Sequence, residues 1–147
     1  MPWNTQSVAM ERRPADGDER SVTLSIPKPP STNNLFINRP DGKGRWPSSE
    51  YTAWRKDASK RVRLQRPVFF RGPVTLLLVI DEKNRCDRDN LIKAPLDLIV
   101  ELGIIEGDGP NIVKEITIRS GAVAGALITI TRYDDDGPLF QKNGARA

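Results

Sequence analysis

The chain has 147 residues, 23 Lys and Arg against 19 Asp and Glu, no histidine, and a net charge of +4. That length holds one core, and the balance of apolar and charged residues suits a folded globular domain rather than a disordered chain. Without histidine, Ser-His-Asp and Cys-His nucleophilic catalysis and His-ligated zinc are excluded, and the lone Cys86 builds neither a thiolate zinc site nor an internal disulfide.

The chemistry left open uses carboxylates, lysine, hydroxyls, or a hard cation held by oxygens. No apolar run approaches the roughly 20 residues of a membrane helix. The N-terminal residues lack the apolar stretch of a secretory signal. Together with the single cysteine, this predicts a cytoplasmic protein with no membrane partner.

In chain order, residues 1–20 show no apolar period and read as a mobile leader. Val22, Leu24 and Ile26 then alternate with polar neighbours, as in a half-buried strand. Pro27, Pro29 and Pro30 end it, since proline cannot donate to a sheet ladder. Ser31 to Pro47 is rich in turn formers and reads as a long loop, more often functional than idle. Ser48 or Ser49 can cap a helix running to about Leu64, with Tyr51, Trp54, Ala58 and Val62 near helical spacing. Its basic residues form either a solvated face or a DNA-facing one.

Val74 to Ile80 is a continuous apolar run, as expected of a central strand covered on both faces, although a buried helix has the same pattern. A helix is expected from about Asp89 to Leu102, stopped by Gly103. Pro95 inside it implies a kink or a start closer to Lys93. Ile112 to Arg119, with Ile112, Ile116 and Ile118 mostly inward, and Ala126 to Arg132 read as strands. The tail 134–147 reads as disordered. The order β-α-β-α-β-β predicts an α/β (α+β) domain over residues 21–133, with two layers and helices packed on a mixed sheet.

The informative run is Arg-Cys-Asp-Arg-Asp-Asn-Leu-Ile-Lys at Arg85 to Lys93. In extended backbone, residues two apart point to one side, so Asp87 and Asp89 can converge. Paired carboxylates repel, and a divalent cation relieves the repulsion. An Asp-rich N-cap explains the same residues. Asp108, in the Glu-Gly-Asp-Gly-Pro turn at 106–110, completes an oxygen-rich metal site if the sheet brings that turn beside the end of the central strand. Otherwise it is an ordinary turn aspartate.

Two further landmarks are the first strand's exit through Pro29-Pro30-Ser31-Thr32-Asn33-Asn34 and Asp97 in the second helix. On these, the Asp87-x-Asp89-Asn90-Leu91-x-Lys93 core, Gly103 and the Asp108 turn, the chain resembles the RusA family of Holliday junction endonucleases over about Ser21 to Arg132. The resemblance implies metal-binding aspartates at Asp87, Asp89 and Asp108 and a catalytically important lysine at Lys93. It also implies a homodimer, Mg2+ dependence (one or two ions, with Mn2+ a substitute) and symmetric nicking of four-way DNA junctions. Cys86 and Gly107 depart from the family pattern, where a basic and an acidic residue are frequent.

The expected function is therefore a Mg-dependent endonuclease of bacterial or phage origin that resolves four-way DNA junctions by paired symmetric nicks, in recombination and repair. Arg39, Lys43, Arg45, Arg55, Lys60, Arg61 and Arg85 are the expected DNA contacts, through backbone phosphates. The alternatives are a nuclease of the same fold acting on other branched or flap DNA, and an inactive junction-binding protein. Phe36, Trp46 and Phe69 are each candidates for a wedge at the crossover or for the core.

Overall fold

Strand β2 (Ser21–Ile26) carries the alternation read from the sequence, with Leu24 and Ile26 buried and Ser21, Thr23 and Ser25 exposed. The structure, a computed structural model, describes residues 13–14 and 20–133. From the expected leader, β1 (Arg13–Pro14) pairs in parallel with β5 (Val68–Phe69). The rest of the leader, and the expected tail, lie outside the described residues.

The expected loop from Ser31 to Pro47 is corrected to a 3-10 turn at Thr32–Asn34 and a hairpin of β3 (Phe36–Asn38) and β4 (Arg45–Pro47). Its turn formers serve only the tip, where Arg39 N donates to Gly44 O at 2.8 Å and Gly42 N to Arg39 O at 3.0 Å. Strands this short leave no period to read. Helix α1 (Ser49–Leu64) starts as the sequence predicts: the Ser48 hydroxyl accepts the Tyr51 N–H at 3.0 Å, and Tyr51, Trp54, Ala58 and Val62 are buried.

Strand β6 (Val74–Asp81) lies inside a four-stranded sheet ordered β2-β8-β6-β7. Strand β8 (Ala126–Arg132) runs antiparallel to β2 and β6, and β7 (Val113–Gly121) runs parallel to β6, so the sheet is mixed. Val74, Leu76, Leu78 and Ile80 share one core with Leu24, Ile128 and Ile130 of the sheet and with both helices.

Cover on both faces is corrected. Thr75 and Leu77, on the opposite face of β6, are only half-buried, and the buried Val79 on that face is outside the helix-packed core. The inward expectation for β7 fails at Ile116, which is 40% exposed on this edge strand, whereas Ile112 and Ile118 pack partly buried against the core.

The second helix also differs. A 3-10 turn at Arg88–Leu91 comes first, and α2 spans Lys93–Glu101. Pro95 thus falls in the first turn, where a missing N–H leaves no intrahelical bond unmade. Gly103, at φ +75°, ends the helix as expected: its N–H reaches Val100 O, and Ile104 N reaches Ile99 O at 2.9 Å. The buried Ile99 and Ile104 complete this left-handed stop.

The outer edge of β2 is partly closed by the Gln65 carboxamide, which accepts from Ser25 N at 2.8 Å and donates to Ser25 O at 2.7 Å. At the other side of the same strand end, Gly125 (φ +70°) sits so close that an added Cβ would lie 2.6 Å from Ile26 O. Gly125→Ala is expected to lower the unfolding free energy by about 2 kcal/mol or more, since both left-handed strain and a backbone clash oppose it. A lower denaturant midpoint at unchanged slope is the readout.

Candidate functional site

Strands β2, β6 and β7 all run the same way, since Ile26 pairs with Ala126, Ala126 with Ile80, and Asp81 with Gly121. Their C-terminal ends therefore share one end of the sheet. The Pro27–Asn34 segment and the Asp87–Lys93 segment both leave from it. In sheets with parallel strands this is the end where loops gather to bind ligands. The two segments are tied together: Thr32 Oγ1 donates to Asn90 O at 2.9 Å.

Within the second segment, Arg88 points inward and binds three groups. Its Nε donates to Ser120 Oγ at 2.8 Å, Nη1 to Cys86 O at 2.9 Å and Nη2 to Asn84 O at 2.8 Å. The buried Asn84 adds a turn by accepting Cys86 N at 3.0 Å. This fixes the loop to the end of β7 and leaves Asp87 and Asp89, on either side of Arg88, exposed. Asp87 is still extended, whereas Asp89 already lies in the 3-10 turn, so the two-residue period covers only the first. Asp87 stands at the capping position but makes no capping hydrogen bond. The N-cap explanation of this aspartate is not met.

Lys93 is the first residue of α2, where the helix dipole disfavours a cation. Asp97, one turn on, offsets this: Lys93 Nζ lies 3.3 Å from Asp97 Oδ1. The other Asp97 oxygen accepts from Tyr51 Oη at 3.4 Å. Tyr51 in turn packs edge-on against Phe36, with ring centroids 5.7 Å apart, and the Arg55 guanidinium lies 5.3 Å over its ring. A continuous chain of contacts thus runs from the hairpin through α1 to Lys93.

Asp108 is elsewhere. The turn holding it precedes β7, whose start lies beside the start of β6: Val74 N donates to Ile112 O at 2.7 Å, and Ile112 N to Gly109 O at 3.0 Å. Asp87 and Asp89 follow the far end of that eight-residue strand, a span of about 25 Å at roughly 3.3 Å per residue. The expectation that the Asp108 turn lies beside the end of the central strand is therefore corrected for a single chain. Among the described residues, no three Asp, Glu or Cys side chains gather to hold a metal ion. One chain brings two exposed carboxylates to the site and leaves the third at the opposite end.

The expected DNA contacts divide by place. Arg39, Lys43 and Arg45 are exposed on the hairpin, and Arg85 is exposed beside the aspartates. Arg55 is half-buried on α1 near Tyr51, and Lys60 and Arg61 lie further along the helix, exposed. Arg39 pairs with Asp41 at 2.8 Å and Arg61 with Asp57 at 3.5 Å.

No family model and no curated protein matches the chain. What distinguishes this end of the sheet is its own residues. Sequence reading passes over Arg88 and gives Tyr51 only a place on the helix's apolar face; an arginine flanked by two aspartates is the one hint that its side chain turns the other way.

Burial pushes the Tyr51 phenol from 10.0 up to about 12, the Asp97 carboxylate adds to the rise, and Arg55 opposes it. Because the fold favours the neutral phenol, its contribution is fully present below pH 10 and is lost as pH climbs through about 12. Tyr51→Phe is expected to remove the highest step of the phenolate absorbance titration. The fall in unfolding free energy between these two pH values should shrink with it.

Proposed function

We propose that the chain is an endonuclease subunit acting on branched DNA, with Asp87, Asp89 and Lys93 as its reaction centre. One observation carries this reading: Asp87, Asp89 and Lys93 stand exposed at the shared C-terminal end of three strands, on a loop held from beneath by Arg88. A loop fixed from below in this way can hold both carboxylates outward, available to a ligand. The resemblance to RusA-type resolvases rests on these same residues and on the Pro-Pro-Ser-Thr-Asn-Asn turn that packs beside them.

A phosphodiester is anionic, so attack on it must overcome repulsion while charge grows on the phosphoryl oxygens. Lys93 offers a cation at that place, and Asp97 and Tyr51 fix its orientation. Two exposed carboxylates suit a hard divalent cation only in part; when bound, such an ion supplies charge neutralisation and water activation. A third carboxylate requires Asp108 from a second copy, whose opposite sheet end would have to lie against this one. A two-fold pair makes that exchange twice and yields two identical sites. Such a pair matches the two-fold character of a four-way junction. Arg85, Arg55 and the hairpin cations surround the centre as phosphate contacts, giving affinity without base sequence.

The experiment uses the full chain with a four-way junction, a flap and a linear duplex, with Mg2+ and then with chelator. Paired symmetric cuts confined to the junction are expected, and flap cleavage would point to the other branched-DNA activity. Asp89→Asn and Asp108→Asn are each expected to lower cutting by about a hundredfold or more while sparing junction binding. Mixing the two variants should restore nicking, because a mixed pair keeps one site with Asp89 from one copy and Asp108 from the other. A mixture as inactive as its parts overturns the shared site. Normal cutting by Asp89→Asn overturns the reaction centre itself.

A further inference from the structure

We propose that the β3–β4 hairpin is a base-stacking element, in which Trp46 receives a nucleobase unpaired or unstacked at a DNA branch. This rests on the nucleic-acid reading above and adds to it a binding site. The hairpin alternates strictly. Phe36 and Arg45 belong to its inner face, where Phe36 meets Tyr51 and the Arg45 guanidinium lies 5.0 Å over the Phe36 ring. Ile37 and Trp46 are a cross-strand pair on the outer face, 50% and 44% exposed.

Two large apolar side chains paired on the solvent side of a two-stranded ribbon forgo the stabilisation that burial would bring. Their surroundings specify the chemistry of what covers them. The Arg39 guanidinium lies 5.4 Å over the Trp46 ring, so a cation already stacks on the indole. Lys43 stands exposed at the tip of the hairpin, with Asp41 the one acid between Arg39 and Arg45, and Arg45 lies on the inner face. An aromatic platform flanked by cations fits a base and its phosphates better than an apolar peptide.

Place supports the same occupant. Ser48 at the foot of the hairpin is tied to the 3-10 turn, its Oγ donating to Asn34 O at 2.7 Å and its N–H to Leu35 O at 2.8 Å. That turn holds Asn90 through Thr32, next to Asp89. The platform is thus rooted on the loop that carries the proposed reaction centre. Of the three aromatics considered from the sequence, Phe69 is buried and Phe36 anchors the hairpin, which leaves Trp46.

The test measures binding by the full chain, in chelator so that nothing is cut. The probes are a four-way junction carrying 2-aminopurine at the branch and a fully paired duplex of the same length. Wild type and Trp46→Phe are expected to quench the 2-aminopurine. Trp46→Ala should abolish the quenching and weaken junction binding about tenfold, a typical effect of one lost base stack, with duplex binding unchanged.

Rescue by Trp46→Phe and an unchanged unfolding midpoint separate stacking from misfolding. The proposal is overturned if Trp46→Ala binds and quenches like wild type. It is overturned equally if junction and duplex affinities fall together, or if the variant loses self-association instead, which would make the hairpin a contact between copies. If wild type binds neither probe, the nucleic-acid reading itself fails, which is a distinct result.

Discussion

Two parallel neighbouring strands can be joined only by a chain that travels back along the sheet. Here α2 makes that return between β6 and β7. Everything leaving β6 therefore starts at one end of the sheet, and everything entering β7 starts at the other. Asp87, Asp89 and Lys93 belong to the first set and Asp108 to the second. No local adjustment of a turn can bridge the length of β6, because its pairing with β7 is held at every residue from Thr75 to Asp81. The geometry of a single chain thus separates the three aspartates.

The same end of the sheet shows how exposed polar groups are held without being buried. Arg88 spends its donors on backbone carbonyls and Ser120, and Asp97 divides its two oxygens between Lys93 and Tyr51. For the two aspartates a neighbour, rather than the carboxylates themselves, makes the fixed contacts, whereas Lys93 is held through its own ammonium on Asp97. Supporting a site from beneath keeps its own donors and acceptors available to a ligand, and loss of the supporting residue loosens the geometry even though it touches nothing bound.

Much of the fold was legible because one face of each element is buried. The alternation at Leu24 and Ile26, the helical spacing at Tyr51, Trp54, Ala58 and Val62, and the Gly103 stop each follow from side-chain period or backbone freedom. The hairpin was not legible, since three-residue strands carry no period and its Pro40-Asp41-Gly42 tip resembles any loop. The start of α2 was decided by Pro95, which tolerates only the first turn. The site was half legible: the Asp87 to Lys93 run announced itself, but the position of Asp108 depended on which strands are neighbours in the sheet, which no residue pattern specifies. Parallel direction follows from the β-α-β order and the crossover it requires, so the separation is a consequence of topology rather than of composition.

Several of the basic residues around this site already have partners, and the strength of those contacts decides how readily an anion replaces them. Arg39–Asp41 and Arg61–Asp57 are ion pairs between side chains that are each at least 42% exposed. Water screens such pairs, and they contribute about 0–1 kcal/mol. A phosphate offers a guanidinium two oxygens in a matching fork, and its approach also releases counterions from the DNA. Each exchange of a surface carboxylate for a phosphate is therefore favourable at low salt and weakens as salt rises. Lys93 differs, because Asp97, the less exposed partner, also accepts from Tyr51 and is not free to swing away. Under the proposed function the hairpin and helix cations are the ones able to change partners, whereas Lys93 keeps the position its helix and its aspartate give it.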